Sequence, residues 1–175
     1  MPSIAITGHT SGVGRALAEL MFTRGWDVIG LSRTTGYDIR QPQPIVEAAR
    51  DADVFVNNAH HGFAQVELTY QMAGAWSAHP DKRILVMGSV SADGIKPGEG
   101  RYAITKQALD GGVEQLQANP AMKCQISTIR FGFTDTPRVA RFLVPKMTPQ
   151  EVAQECLHII TSPLWIKRVD VRVRK

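Results

Sequence analysis

A tyrosine and a lysine four residues apart, Tyr102 and Lys106, follow a serine, Ser89, that precedes the tyrosine by thirteen positions. On a helix an i, i+4 pair shares one face, which brings the ammonium of Lys106 beside the phenol of Tyr102. A free tyrosine, with a pKa near ~10, is protonated at neutral pH. A neighbouring cation lowers that value and turns an inert phenol into a usable acid or base. Near the N-terminus, Thr7-Gly8-His9-Thr10-Ser11-Gly12-Val13-Gly14 stands between an apolar stretch and a helical period. A strand that ends in a glycine-rich turn and opens a helix presents free N–H groups and the positive end of the helix where a pyrophosphate can lie. The spacing, Gly8-x-x-x-Gly12-x-Gly14, differs from the common G-x-G-x-x-G, and alone it is weak evidence.

The elements that must position these residues alternate along the chain. Residues 3–7 read as a buried strand, and Val13, Ala16, Leu17, Leu20 and Met21 repeat with the period of a one-faced helix. Gly25 ends that helix as a left-handed cap, and residues 28–31 form a second strand. Two prolines, Pro42 and Pro44, open a short helix reaching residue 50. Further strands are expected at 53–58, 83–88 and 125–130, and helices at 65–78 and 102–116, with Gly111-Gly112 a weak point in the latter. Thr148-Pro149-Gln150-Glu151 is a capping box that starts a last helix, to about residue 161. Strands alternating with helices predict an α/β fold, a three-layer, doubly wound, Rossmann-like parallel sheet covered on both faces.

With 175 residues, 43% of them hydrophobic, the chain is long enough for one domain, residues 1–175, and tight for two. Two cysteines, Cys124 and Cys156, provide no disulfide framework, and the first residues carry no signal-peptide pattern; a reducing, cytoplasmic location is expected. No apolar run approaches the ~20 residues of a membrane helix. No metal site is read from the sequence. The net charge of +4 favours an anionic ligand, and Lys167, Arg168, Arg172, Arg174 and Lys175 crowd the C-terminus. Their mostly two-residue alternation with Val169, Val171 and Val173 reads as a terminal strand with one charged face, not as a nucleic-acid surface, since no aromatic interleaving accompanies the charge.

The glycine loop, Asn57-Asn58-Ala59, Ser89, Tyr102-x-x-x-Lys106 and Gly132-Phe133-Thr134-Asp135-Thr136 occur in an order that resembles the short-chain dehydrogenase/reductase family over residues 3 to about 137. The resemblance implies hydride transfer between a nicotinamide and a small carbonyl or alcohol substrate. Tyr102 would be the acid/base, Ser89 would hold the substrate oxygen, and Lys106 would tune Tyr102 and grip the nicotinamide ribose. It implies that Gly8, Thr10, Ser11, Gly12, Val13 and Gly14 meet the pyrophosphate side of the cofactor. Asp38 and Ile39 would lie beside the adenine; Asn58, Ala59 and His60 would border the nicotinamide ribose; Gly132, Phe133 and Thr136 would flank the nicotinamide. Asn57 is expected to tie neighbouring strands together. Family members that use NAD carry an acidic residue after the second strand. Here Ser32, Arg33 and Thr34 stand there, a guanidinium and hydroxyls suited to a 2′-phosphate, so NADP(H) is favoured over NAD(H). The resemblance further implies a homodimer or homotetramer formed through the helices near 65–78 and 102–116.

The sequence also departs from that pattern. It is shorter than ordinary members, and the few residues after the second strand leave no room for the family's next helix and strand. Residues 34–41 are expected to drape over the adenine side, leaving about six strands in the order 2-1-3-4-5-6. The family's relay asparagine between Asn58 and Ser89 is missing, and His60, His61 or Gln65 are the polar groups able to substitute. Only residues 137–147 remain for a substrate lid, with Arg138, Arg141 and Phe142 facing an anionic or aromatic substrate or simply solvent. Two alternatives stand beside the reductase: a non-catalytic NADP(H)-binding or redox-sensing module, and a nucleotide-sugar epimerase or reductase.

Overall fold

A computed structural model describes residues 1–94 and 100–174. Lys175 and the side chain of Arg138, both named above, lie outside the described residues. Six strands, β1 (Ser3–Thr7), β2 (Asp27–Leu31), β3 (Val54–Asn57), β4 (Arg83–Ser89), β5 (Gln125–Phe131) and β6 (Arg168–Val171), form one parallel sheet in the order β2-β1-β3-β4-β5-β6. This is the expected order. Helix α1 (Gly12–Thr23) links β1 to β2; between β2 and β3 the chain forms a 3-10 turn at Arg33–Thr35 and crosses over through the short helix α2 (Pro42–Ala48). Residues 34–41 hold no strand, as anticipated.

Side chains alternate across each strand, and the sheet sorts its apolar residues accordingly. Ile4, Ile6, Val54, Val56, Leu85, Met87 and Ile129 face α1 and α5 (Pro149–Thr161), which contribute Leu17, Met21, Val152 and Cys156. Ala5, Phe55, Ile84, Val86 and Ile126 face the opposite layer, built from α2, α3 (Ala64–Ala75) and α4 (Tyr102–Ala118). Both faces are therefore closed, as a parallel sheet requires. Both cysteines are free and buried, and burial pushes the Cys124 thiol up to about 11.

Local chemistry fixes the helix ends. Gly25 adopts φ +79° just past α1. At α5, Thr148 Oγ1 accepts from the Glu151 N–H at 3.2 Å while the Glu151 carboxylate accepts from the Thr148 N–H at 2.7 Å, closing the capping box. The Gly111-Gly112 pair does not weaken α4, which runs through it. A Cβ at Gly112 would lie 3.0 Å from the Tyr70 ring, so this glycine lets α3 and α4 approach closely.

β6 is shorter than the alternation suggested, and its charges are paired. Arg168 lies 3.6 Å from Glu114 and 3.4 Å from Asp170, and Arg172 lies 2.6 Å from Asp93. Among the described residues no helix is long and apolar enough to cross a membrane.

Candidate active site

β1 pairs with β2 on one side and β3 on the other, so successive crossovers leave the sheet in opposite directions at this point. A crevice opens outside the carboxyl ends of strands where the order reverses. The glycine loop, Asn58, Ser89 and Gly132 all lie at or just after the C-terminal ends of strands, on that edge of the sheet.

The loop is held from both sides. Gly8 and Gly12 have φ of +68° and +54°, which an L side chain rarely tolerates. Gly14 serves closeness instead: a Cβ there would sit 2.4 Å from the Gly8 carbonyl oxygen and 2.5 Å from Asn58 Nδ2. Asn58 Nδ2 donates to the carbonyls of Thr7 (2.9 Å) and Gly8 (3.3 Å), while Thr7 Oγ1 accepts from the N–H groups of Asn58 and Ala59. Asn58 and Ala59 thus brace the loop from beneath. Thr136 stands over it, its Cγ2 being 3.2 Å from where a Gly12 Cβ would be. Thr10 and Ser11 are exposed, whereas Val13 packs into the core and offers only its backbone. Gly14→Ala is expected to lower the unfolding free energy by about 1–3 kcal/mol through overpacking, as read from urea denaturation midpoints.

At the end of β2, Ser32 is buried, and its Oγ lies 2.8 Å from Thr34 Oγ1. Arg33 and Thr34 are exposed, and Arg33 acts on Asp38 only through its field. Asp38 is clasped by Arg40, whose Nη2 and Nε donate at 2.6 and 3.0 Å. These bonds hold its carboxyl well below the usual carboxylate range. Ile39 is buried against α2 and the sheet. His9 was passed over in the sequence. Its imidazole lies over the α-carbon of Gly30, where a Cβ would meet Nε2 at 2.3 Å; a bulky residue in the loop opposite a glycine on the neighbouring strand was the available clue.

Ser89 ends β4, and its Oγ accepts from the Ser91 N–H at 3.2 Å, capping the 3-10 turn at Val90–Asp93. Tyr102 opens α4 with 37% of its surface exposed. Its ring meets His60 edge-on at 5.0 Å between centroids, and Lys106 Nζ lies 5.7 Å from the Tyr102 ring centroid. The i, i+4 geometry anticipated for the pair is therefore present. Lys106 is only 3% exposed, and its Nζ donates to Gln65 Oε1 and to the Met87 carbonyl, both at 2.8 Å. Of the three polar side chains singled out after β3, Gln65 touches the lysine and His60 touches the tyrosine.

Asn57 corrects an expectation. Its Nδ2 donates to Gln65 O and Thr69 Oγ1, each at 2.8 Å, tying β3 to α3 and not to a neighbouring strand. The strands are bridged by Gln65, whose Nε2 donates to the carbonyls of Asn57 on β3 (2.8 Å) and Met87 on β4 (3.1 Å). The lid segment is brief: a 3-10 turn at Pro137–Val139, then exposed Phe142, Leu143 and Val144, with Phe142 against Phe133 at 5.2 Å and under Arg141. Gly132 precedes it beside β6, its N–H donating to Val171 O at 3.1 Å.

Behind the site, Arg130 on β5 is almost fully buried. It pairs with Asp93 of the turn after Ser89, and its Nε lies 3.5 Å from Asp110 and 3.7 Å from Asp170. Arg172 joins the same Asp93.

No family model matches the sequence, and no curated protein does. Solved structures do match. A 3-ketoacyl-(acyl-carrier-protein) reductase from Brucella melitensis complexed with NADH aligns with a TM-score of 0.82 at 20% identity, over 98% of this chain and 96% of its own. A short chain dehydrogenase/reductase family protein aligns at 0.79 and 22% identity, over 98% and 95%. The closed form of a serine dehydrogenase complexed with NADP+ aligns at 0.79 and 15%, over 97% and 94%. The chain has the fold of the short-chain dehydrogenase/reductase structures.

Proposed function

We propose that the chain is an NADP(H)-dependent oxidoreductase of the short-chain dehydrogenase/reductase type, acting on a small carbonyl or alcohol substrate. The observation that carries this reading is the Lys106 ammonium 5.7 Å from the ring of a partly exposed Tyr102, at the same sheet edge as the glycine loop. The loop suits a dinucleotide: its glycines let it fold closely against Asn58, Ala59 and Thr136, and the start of α1 supplies N–H groups for a pyrophosphate. The nicotinamide, when bound, would supply or accept the hydride. In reduction, Tyr102 donates its phenolic proton to the substrate oxygen, Ser89 Oγ–H donates a hydrogen bond to that oxygen, and Lys106 stabilises the phenolate left behind.

The structural neighbours are described with NADP+ in one case and NADH in another, so the preference for NADP(H) rests on the end of β2. There Arg33 and Thr34 are exposed and no carboxylate takes the place of Ser32. Arg33→Ala is expected to weaken NADPH binding about 10- to 100-fold, the worth of a hydrogen bond to a charged group, and to leave NADH binding nearly unchanged in fluorescence titrations. Equal losses for both would remove the assignment of Arg33.

The test of the function is steady NADPH oxidation with a panel of aldehydes, ketones and quinones. Lys106 Nζ turned inward onto Gln65 and Met87 favours, as the second reading, a module that binds NADP(H) without turning it over. Tight binding with no turnover across the panel would select that one.

A further inference from the structure

We propose that Gln65 is a positioning residue that fixes the Lys106 ammonium beside Tyr102 through a direct hydrogen bond. This rests on the reading of Tyr102 as the acid/base.

Gln65 is 1% exposed at the start of α3. A glutamine in the first turn of a helix is ordinarily solvated; this one is inserted between β3 and β4 with its amide fully engaged. Nε2 donates to Asn57 O at 2.8 Å and Met87 O at 3.1 Å, and Oε1 accepts from Lys106 Nζ at 2.8 Å. The amide admits one orientation. Reversed, its oxygen would face two carbonyl oxygens and its NH2 group would face the ammonium, so every contact would become repulsive. The backbone beneath is clamped too, with Gln65 O accepting from Asn57 Nδ2 and Thr69 Oγ1 at 2.8 Å each. Oε1 is therefore held rigidly at the lysine.

The choice of an amide has an electrostatic consequence. Burial disfavours the charged form of a lysine, and the two carbonyl oxygens of Gln65 and Met87 offset that cost. Both are neutral, so neither brings a charge of its own to the ammonium, which lies 5.7 Å from the Tyr102 ring centroid. A carboxylate at the same place would hold the ammonium equally well and neutralise it. Among the described residues, the other titratable groups near the pair are His60, from the loop after β3, and Asp110, one turn further along α4, whose carboxyl feels the Lys106 charge.

The experiment is a spectrophotometric titration of tyrosinate in the protein without cofactor. The chain has three tyrosines, Tyr37, Tyr70 and Tyr102, and subtraction of the Tyr102→Phe curve isolates Tyr102. Gln65→Leu and Gln65→Glu are each expected to move the Tyr102 titration upward by about one pH unit or more, the first by withdrawing support from the charge and the second by cancelling it. A circular dichroism spectrum and urea midpoint close to the parent's certify folding. The acidic limb of alcohol oxidation by the holoenzyme should move by the same amount. A folded variant of either kind whose Tyr102 titrates as in the parent overturns the proposal; should Gln65→Leu fail to fold, Gln65→Glu alone decides. Absence of turnover in the parent, with the titration shifted as stated, would sink the oxidoreductase reading and leave the role of Gln65 standing.

Discussion

Tyr102→Phe is expected to lower kcat/KM for carbonyl reduction by about 10²–10⁴, the usual contribution of a positioned general acid, or about 3–5 kcal/mol of transition-state stabilisation. The substitution removes one oxygen and keeps the ring, so the edge-on contact with His60 at 5.0 Å and the placement of Lys106 Nζ 5.7 Å from the ring centroid can persist. The substrate oxygen, which gains negative charge as hydride arrives at carbon, then has the Ser89 hydroxyl to bond but no phenolic proton to take. The loss should fall on kcat, since proton donation belongs to the transition state and not to binding, and NADPH affinity should be nearly unchanged. Rate constants with one carbonyl substrate at saturating NADPH give the measurement. Retention of full activity would shift the role of acid to His60, whose ring meets Tyr102 edge-on.

The features written in short stretches of sequence were the ones most readily legible. The glycine turn, the period of α1 and the capping box at Thr148–Glu151 each depend on residues within a few positions of one another, and each formed as read. The strand order followed from a second local fact: too few residues follow β2 to supply a further helix and strand besides α2, so the chain crosses through α2 alone to the far side of β1. The Tyr102–Lys106 pair was legible for the same reason, since one helical turn carries both.

Contacts made across the sheet were not legible. Gln65 and Lys106 are separated by 41 residues, and their meeting depends on β3 and β4 pairing in register with Val56 beside Leu85 and Asn57 beside Val86. That register sets the Asn57 and Met87 carbonyls where one amide spans them. The same cause explains Asn57, expected to join strands but directed to α3 once Gln65 occupied the gap between them. Arg130 is the last residue of the strand expected at 125–130, and nothing near it in the sequence marks it as buried. Its partner in the register is Gly88, where a Cβ would lie 2.8 Å from Arg130 Cγ; a glycine opposite an arginine in a sheet covered on both faces was the mark of a side chain lying across the strand.

Arg130→Ala is expected to destabilise the fold by about 1–3 kcal/mol at neutral pH, because it leaves the mostly buried Asp110 carboxylate without its cation while Asp93 and Asp170 stay partly solvated. Asp93, Asp110 and Asp170 all face Arg130. Burial already pushes the Asp110 carboxyl up, and Arg130 opposes that push; without it the carboxyl rises further. A carboxyl raised in the folded state contributes stability below its unfolded value, and that contribution is lost as pH rises through the folded value. Asp93 behaves oppositely in the parent: its hydrogen bond to Arg130 lowers it, so the stability it contributes is present above the unfolded value and lost as pH falls. Both effects act in one direction on the difference between the two proteins. The gap in urea unfolding free energy should be widest near neutrality and narrow as pH falls toward about 4, where unfolded carboxylates protonate. Asp93 also closes the turn that begins at Ser89, and Arg172 ties the same carboxylate to the residues after β6. Losing Arg130 therefore releases one of the two anchors of that turn, and kcat should fall in the folded variant as the Ser89 hydroxyl loses its fixed direction. A pH-independent gap would mean that the arginine stabilises through its packed stem against Gly88 and not through its charge.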